Sequence, residues 1–337
     1  MTAEALDCAL PLLRCPHCGA ALARAAGGAA ETVRCSAGHS FDVARQGYLS
    51  LLAGEGSAHS GDTAEMVAAR DRFLAAGHFE RLAEAVASAV AEVAAALTGR
   101  AASLEPAAAP REPACVVDLG AGTGWYLAGV LARVPGAMGL ALDISKPALR
   151  RAARAHPRIA AVACDAWRPL PVRDGVAAVV LNVFAPRNGE EIARVLRPGG
   201  VAVVVTPAPD HLRQLAEPLG LLAVDERKDE RLAGRLAPAL EIAERKELRW
   251  ALRLDHSAAR DLAAMGPSAF HVSSAELDER VAALAQPVEV TAAVTLTLAT
   301  AGGPRARPPA PAAAASGAAR RRTPPATRPP RSPGDTG

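Results

Sequence analysis

The chain lacks the features that would direct it to a membrane. Its 337 residues do not begin with a basic stretch followed by an apolar leader. No apolar run reaches the roughly 18 residues that a transmembrane helix needs. We therefore expect a cytoplasmic protein with no membrane partner. Hydrophobic residues make up 50% of the chain and charged residues 22%, so the chain can bury a sizeable core.

A broad positive charge is also missing from most of the chain. The net charge is +3, but residues 301–337 hold seven arginines against one aspartate, which leaves the rest near −3. Contact with nucleic acid would then depend on local patches of the folded part. Residues 301–337 contain hardly any large apolar side chain. We predict that they form a disordered Arg/Pro/Ala-rich tail.

Four of the residues that can bind metals lie in two short pairs. Cys15 and Cys18 form a Cys-x-x-Cys pair, and Cys35 and His39 form a Cys-x-x-x-His pair. This spacing predicts a tetrahedral Zn²⁺ site, which is structural because the protein supplies all four ligands. A redox role for the first pair is disfavoured because no thioredoxin-like context surrounds it. His17 could replace His39 only by straining the first pair.

A glycine-rich loop follows an apolar segment at residues 116–124, Val-Val-Asp-Leu-Gly-Ala-Gly-Thr-Gly. Glycines at alternate positions allow positive φ values and a close approach of the backbone to a ligand. The dinucleotide fingerprint would require glycine at position 125, where the chain has Trp125, so NAD is disfavoured. An ordinary glycine-rich turn is the alternative interpretation.

Strand-like and helix-like segments alternate from Cys115 onward. This order predicts an α/β fold with a Rossmann-like, mostly parallel sheet covered on both faces. Two later alternating segments would complete a seven-stranded sheet. The seven predicted strands are 115–119, 138–142, 159–163, 176–181, 201–206, 248–254 and 288–298.

Acidic residues stand at the ends of three successive predicted strands, where ligands of such sheets bind. Asp143 is placed to accept hydrogen bonds from both ribose hydroxyls, and Asp165 from an adenine amino group. Helix capping is the alternative for both. With the glycine loop, these acids predict S-adenosylmethionine as the ligand. The predicted contacts in the loop are Asp118, Gly120, Gly122 and Thr123.

The fourth predicted strand ends in Asn-Val-Phe-Ala-Pro at residues 182–186. This end of the sheet faces the methyl acceptor in folds of this kind. Asn182 can hydrogen-bond the edge of a nucleic-acid base, and Phe184 can stack on the base. The alternative is an aromatic side chain that fills the core beside a turn.

The first part of the chain divides by pattern. Residues 1–55 form the zinc module, closed by a strand pair within residues 41–52. Residues 56–113 contain helices at 63–75 and 79–97 and an Ala/Pro-rich linker from residue 99. Residues 114–300 form the ligand-binding α/β domain, and a turn at residues 197–200 precedes its fifth strand.

With these motifs in order, the chain resembles the bacterial 23S rRNA (guanine-N1)-methyltransferases of the RlmA and TlrB type, from about Leu13 to Ala299. The motifs are Cys-Pro-His-Cys-Gly from residue 15, Gly-His-Ser-Phe-Asp from 38, Asp-Thr-Ala-Glu-Met-Val-Ala-Ala-Arg from 62, Ala-Gly-His-Phe from 76, Asp-Leu-Gly-Ala-Gly-Thr-Gly from 118, Asp-Ile-Ser-Lys-Pro from 143, Asn-Val-Phe-Ala-Pro-Arg-Asn from 182 and Ala-Met-Gly-Pro-Ser from 264.

The resemblance implies a class I S-adenosylmethionine-dependent methyltransferase that methylates guanine N1 in a hairpin loop of domain II of 23S rRNA. It also implies a zinc module that helps to hold RNA, and a possible homodimer. The motifs look closer to the actinomycete TlrB branch, which is linked with macrolide resistance. Two other classes stay open from the residues alone: a small-molecule methyltransferase and a non-catalytic zinc RNA-binding protein. The resemblance adds Phe79 and His211 to Gly122 and Thr123 as cofactor contacts.

Overall fold

The computed structural model describes residues 1–25, 31–52, 61–104, 114–221, 239–266 and 272–302, with side chains left undescribed at 98–104. Met1–Gly302 forms one compact unit. The predicted disordered tail lies outside the described residues from position 303 onward. The boundaries predicted at residues 55, 113 and 300 stay predictions.

Six of the described helices, α1, α2, α5, α6, α8 and α9, begin with a side chain that accepts a hydrogen bond from a backbone N–H of the first turn. Thr63 caps α2 by accepting a hydrogen bond from the Met66 N–H at 3.3 Å, which replaces a partner that the helix cannot supply. Within the described residues no helix is long and apolar enough to cross a bilayer. The helices are α1 (Ala3–Ala9), α2 (Ala64–Ala75), α3 (Glu80–Leu104), α4 (Trp125–Arg133), α5 (Lys146–Ala155), α6 (Gly189–Val195), α7 (Arg213–Leu219), α8 (His256–Ala264) and α9 (Ser274–Ala282).

The strands form two sheets. A small antiparallel sheet has the order β1-β2-β3, and a large one has the order β10-β11-β9-β8-β5-β6-β7-β4. In the large sheet, β4 to β9 pair in parallel, and β10 and β11 are antiparallel. The strands are β1 (Leu22–Arg24), β2 (Thr32–Cys35), β3 (Ser40–Asp42), β4 (Tyr48–Ser50), β5 (Cys115–Leu119), β6 (Met138–Asp143), β7 (Ile159–Ala163), β8 (Ala177–Val183), β9 (Leu196–Pro207), β10 (Leu240–Leu254) and β11 (Val288–Ala301).

Apolar side chains cover both faces of the large sheet. On β5, Val116 packs into the core beneath α3 and α4, and Val117 packs into the opposite core. That second core includes Leu13 and Phe41 from the zinc module. Both faces of β5, β6, β7 and β8 are buried, which explains their continuous apolar sequences. The zinc module therefore shares a core with the sheet.

The sheet has one strand more than the seven predicted. All seven predicted strands are present, and β4 adds an eighth by pairing in parallel with β7. The expectation that residues 41–52 hold a strand pair is confirmed in part, because β3 and β4 lie there and their segments meet in one antiparallel bridge between Val43 and Leu49. β3 also pairs with β2, and β4 joins the large sheet because the edge of β7 offers unpaired backbone groups.

Two smaller predictions also need correction. The helix predicted to end at residue 97 continues to Leu104, because the alanines after Gly99 favour a helix over a linker. The turn predicted at residues 197–200 belongs to β9. A register shift between Ala177 and Val179 accommodates its Pro and Gly residues, as a β-bulge does. The short helices α1, α8 and α9 were not predicted.

Candidate functional site

The two sequence pairs that predicted a metal site come together in the folded chain. The Sγ atoms of Cys18 and Cys35 are 3.7 Å apart. The Nδ1 atom of His39 lies 3.3 Å from Cys35 Sγ and 3.6 Å from Cys15 Sγ. A tetrahedral zinc ion with Zn–S bonds of about 2.3 Å separates neighbouring ligand atoms by roughly 3.5–3.8 Å. The four side chains therefore fit one Zn²⁺ and leave no open coordination position.

The two histidines of this region have different places. His39 belongs to the group of four, whose ligand atoms all lie within 4.8 Å of one another. His17 instead stacks on Phe41, with ring centroids 5.9 Å apart and an interplanar angle of 12°. The alternative in which His17 replaces His39 is therefore not the arrangement of the folded chain.

One thiol of the group is primed for a metal. Burial tends to raise the pKa of Cys35, but hydrogen bonds with the His39 side chain and with the backbone of His39 and Ala37 outweigh it and lower this pKa to about 6. Cys35 is then mostly a thiolate at neutral pH, the form that zinc binds. Burial raises the pKa of Cys15, and a bound cation would oppose that shift.

The glycine loop joins β5 to α4 and is closed against β6. The backbone N–H groups of Gly120 and Ala121 both donate to Leu142 O, at 2.8 and 3.0 Å. Gly120 has φ +77°, and a Cβ there would lie 2.4 Å from Ala185 Cβ. Gly122 has φ +55°, and a Cβ there would lie 3.4 Å from Arg70 Nη1. Only glycines keep this cradle open to a ligand.

Two of the predicted acids converge on this loop. Asp143 ends β6, and its Oδ2 accepts the Gly122 N–H while its Oδ1 accepts the Ser145 N–H, both at 2.8 Å. Each carboxylate oxygen keeps a second acceptor position, which suits a ribose diol. Ser145 supplies the side-chain cap of α5, so helix capping does not account for Asp143.

Burial controls the charge of these acids. Desolvation, with a smaller contribution from Asp143, raises the pKa of Asp118 to about 8. Burial also raises the pKa of Asp143, against the backbone N–H groups of Ser145 and Gly122. A cationic sulfonium placed nearby would favour the ionised carboxylates.

Asp165 and Thr123 complete the set of residues that are predicted to contact S-adenosylmethionine. Asp165 follows β7, is 8% exposed, and accepts the Trp167 N–H at 2.9 Å. The carboxylate shapes a turn rather than a helix end. Thr123 is buried within the glycine loop. The predicted donor contacts thus follow three neighbouring strands, β5, β6 and β7, at one edge of the sheet.

Asn182 connects the glycine loop to the turn after β8 through hydrogen bonds. Its Nδ2 donates to Leu119 O at 3.1 Å and to Pro186 O at 2.8 Å. The side chain is fully buried, and its Oδ1 has no hydrogen-bond partner among the described residues. Because both amide hydrogens are used internally, this side chain holds the turn in place.

Phe184 stands out at the end of β8. It is 39% exposed, and its φ of +53° makes it one of two non-glycine residues with positive φ in the described chain, the other being Leu212. Strained backbone of this kind concentrates at functional sites. The core-filling alternative does not describe a phenyl ring exposed to this extent.

Aromatic rings from four distant segments meet beside Phe184. The ring of Phe79 lies 6.2 Å from that of Phe184 and 5.7 Å from that of Trp250. The His211 ring lies 5.7 Å from Phe184 and 6.2 Å from Phe79. We call Phe79, Phe184, His211 and Trp250 the aromatic cluster. Phe184 is the exposed member of this cluster, whereas Phe79 is 2% exposed and packs in the core.

An open groove of about 550 Å³ continues from the aromatic cluster. Its lining includes His78, Arg81, Trp250 and Arg253. The His78 backbone also accepts a hydrogen bond from Trp250 Nε1 at 3.2 Å. The groove therefore joins one ring of the cluster to side chains of both charges, because Glu80 and Glu84 line it together with Arg81 and Arg253.

The hydrogen bonding of His211 defines its tautomer. Its Nδ1 accepts the Ala293 N–H at 3.2 Å, so the neutral ring carries its proton on Nε2. In this form the ring nitrogen that carries the proton is Nε2. His211 does not serve as a proton acceptor at Nδ1 while that bond is kept.

Sequence reasoning missed three residues of this region. Arg70 lies over the glycine loop and is paired with Asp62, and Trp250 belongs to the aromatic cluster. Arg70 and Asp62 stand within a quoted motif, but about fifty residues separate them from the loop. Only the fold brings them there.

Comparisons with known proteins match both parts of this site. The family described as "RlmA, N-terminal", a zinc ribbon, matches residues 13–54. The family described as "Methyltransferase domain" matches residues 116–200. The first match contains the metal group, and the second contains the glycine loop and Asn182.

Three relatives carry closely related names. A protein named as a 23S rRNA (guanine-N1)-methyltransferase from Micromonospora griseorubida is 53% identical over 85% of this chain and 96% of its own length. The 23S rRNA (guanine(748)-N1)-methyltransferase of Streptomyces fradiae is 49% identical over 85% of this chain and 95% of its own length.

The third relative, named for the same activity in Bacillus subtilis, is 28% identical over 61% of this chain and 68% of its own length. The two actinomycete relatives are matched almost from end to end. The zinc group, the glycine loop and the strand-end acids all lie within the fold described above. The chain belongs to the 23S rRNA (guanine-N1)-methyltransferase family, and it is a class I methyltransferase that uses S-adenosylmethionine and holds a structural zinc.

Proposed function

We propose that this chain transfers the methyl group of S-adenosylmethionine to N1 of a guanine in a domain II hairpin loop of 23S rRNA. The observation that carries the proposal is the exposed Phe184, held at φ +53° beside the donor loop. The printed names of the relatives support the same acceptor. The guanine numbered 748 in the name of the Streptomyces fradiae enzyme is the first candidate target.

The cofactor supplies a methyl group activated by a sulfonium. The N1–C bond would form as the S–C bond breaks, S-adenosylhomocysteine would leave, and the N1 proton would pass to water. The chain contributes by placing the two reacting atoms in line, which supplies roughly 7–11 kcal/mol in well-oriented reactions. Asp143 would hold the ribose, Asp165 the adenine, and Asp118 would face the positive end of the donor together with Gly120, Gly122 and Thr123.

The aromatic cluster would receive the base. Guanine must be unpaired or flipped to expose N1, and unstacked bases are commonly held on aromatic rings. Phe184 would stack on it, Phe79 and His211 would lie between base and donor, and Asn182 would fix the turn that carries Phe184.

The zinc module would help to hold the RNA. It shares a core with the sheet through Leu13 and Phe41. RNA bound to the module would therefore be held in a fixed position relative to the aromatic cluster. An enzyme of ribosomal RNA acts in the cytoplasm. A homodimer is part of the proposal, and light scattering coupled to gel filtration gives the mass that tests it.

The direct test uses labelled donor and naked 23S rRNA. Label should enter the RNA, and nucleoside mass spectrometry should identify 1-methylguanosine. Phe184→Ala should lower the rate by at least tenfold while donor affinity changes less than about threefold, because base stacking is worth about 1–3 kcal/mol. Label that enters only small molecules, or no label in RNA, would refute the proposal.

Macrolide resistance is the cellular consequence that we propose for this methylation. Expression of the chain in a macrolide-sensitive host should raise the inhibitory concentration of a macrolide that contacts the tunnel wall. Expression of Phe184→Ala should not. Equal inhibitory concentrations for the two strains would separate the activity from resistance.

A further inference from the structure

The amino-acid end of S-adenosylmethionine poses an electrostatic problem for this site. It carries an ammonium and a carboxylate, and a sulfonium lies three bonds away. The site's acids, Asp118 and Asp143 with Asp62 nearby, suit the two cations. They repel the carboxylate, which needs a cation or several N–H donors of its own.

Arg70 is a cationic side chain that lies against the glycine loop. A Cβ built on Gly122 would lie 3.4 Å from Arg70 Nη1 and 3.8 Å from its Cδ. The guanidinium therefore borders the space that the absence of a side chain at position 122 keeps open. Its side chain is 24% exposed, so the cation is partly desolvated. A charged group in such a place interacts more strongly than one on the surface.

The position of Arg70 is fixed before any ligand binds. Its Nη2 donates to Met265 O at 2.7 Å, and its Nη1 pairs with the Asp62 carboxylate. Asp62 is itself anchored, because Ser145 Oγ donates to its backbone carbonyl at 2.8 Å. Ser145 also donates its backbone N–H to Asp143. One network thus joins Arg70 to the ribose-binding acid.

The buried face of α2 sets this geometry. Met66, Val67 and Phe73 are buried on that helix, so Arg70 projects along the loop from a packed element. Arginine presents five N–H donors in a planar fork that matches a carboxylate. Preorganised donors of this kind lower the cost of ordering a bound ligand.

We propose that Arg70 binds the methionine carboxylate of S-adenosylmethionine and so selects donors that keep the whole amino-acid group. This is a positioning role for the donor, and it does not depend on which RNA base accepts the methyl group. Arg70→Gln keeps a side chain that reaches the loop but removes the charge.

Titration calorimetry on the full chain without RNA tests this proposal with two ligands, S-adenosylmethionine and its decarboxylated form. The wild-type chain should prefer S-adenosylmethionine by about 10–100-fold, the range expected for a hydrogen bond to a charged group. Arg70→Gln should bind the two ligands within about threefold of each other. This double comparison isolates the contact between Arg70 and the carboxylate.

A matched control is available on the same helix. Arg72 pairs with Asp261 at 2.9 Å and does not contact the glycine loop in any described interaction. Arg72→Gln should keep the wild-type preference. Arg70→Lys keeps a charge without the fork and should show an intermediate preference.

The proposal is overturned if Arg70→Gln keeps the wild-type preference, or if the wild-type chain binds both ligands equally. Equal weakening of both ligands by Arg70→Gln would also overturn it, because it would show a structural role. The wild-type comparison stands even if Arg70→Gln does not fold. Since RNA is absent, failure here is distinct from failure of the proposed acceptor.

Discussion

The zinc group and the donor and acceptor site are built in opposite ways. The four metal ligands lie within 25 residues, from Cys15 to His39, and two short turns bring them together. The donor and acceptor site draws on Asp62, Phe79, Asp143, His211 and Trp250, which only the sheet brings together. A local site can be predicted from spacing, but a site assembled by topology can be predicted only strand by strand.

The largest expected effect comes from a substitution that removes a ligand of the zinc site. Cys35→Ser should reduce bound zinc from one ion per chain to near zero. The thermal midpoint should fall by about 10 °C or more, because zinc supplies much of the folding energy of such modules and each 1 kcal/mol shifts the midpoint by about 2–4 °C in a domain of this size. Metal analysis and calorimetry measure both.

Cys8→Ser is its control, because Cys8 is exposed and lies outside the metal group. It should keep the zinc and the midpoint. A zinc-free Cys35→Ser chain with an unchanged midpoint would show that the module folds without its metal, contrary to the structural role.

The second prediction concerns the close contact between the glycine loop and the turn after β8. Gly120→Ala should lower the free energy of unfolding by about 2–5 kcal/mol, since it combines left-handed strain with overpacking against Ala185. Gly175→Ala is matched, because Gly175 has φ +67° but nothing within 4 Å of its Cβ position. It should cost only about 1–2 kcal/mol. Equal losses of unfolding free energy for the two variants in urea would show that the contact with Ala185 does not contribute.

The third prediction removes the tie between the same two segments. Asn182→Ala leaves the carbonyls of Leu119 and Pro186 without their donor, so the free energy of unfolding should fall by about 2–3 kcal/mol. RNA methylation should fall at least tenfold. Asn188→Ala removes only the cap of α6, so it should cost about 1 kcal/mol and keep activity. Full activity of Asn182→Ala would contradict its positioning role.

The smallest expected effect is the pH dependence of Asp118. The folded chain holds a proton on Asp118 up to about pH 8, whereas the unfolded chain loses it near pH 3.9. Stability therefore falls as pH rises between these values and is level above them. Asn does not titrate, so Asp118→Asn should gain stability relative to wild type by at least about 1 kcal/mol from pH 5 to pH 8. Parallel unfolding profiles would contradict the shifted pKa.

The sequence predicted the parts of the fold whose signals are local. Spacing alone indicated the four metal ligands, and the strand segments with their acidic ends indicated the sheet and the donor. The sequence did not predict that β4 joins β7, because a three-residue strand has too little periodicity to show its partner. It also missed Arg70 and Trp250, whose roles depend on contacts between residues far apart in the chain.

The role that we propose for Asn182 differs from the predicted one for a physical reason. An amide beside a turn looked able to reach a base edge, but the folded chain uses both of its hydrogens on Leu119 and Pro186. The role of Phe184 stays a prediction, and its ring is exposed at the end of β8. The same motif thus contains one residue that holds the backbone and one that offers a surface.

Primer extension on 23S rRNA tests the central claim most directly, because a methyl group on guanine N1 blocks base pairing and stops reverse transcriptase. After incubation of naked 23S rRNA with the chain and S-adenosylmethionine, a single new stop should map to a guanine in a domain II hairpin loop. The stop should require both the donor and Phe184. An unchanged pattern of reverse-transcriptase stops, or new stops only outside domain II, would contradict the proposed methylation.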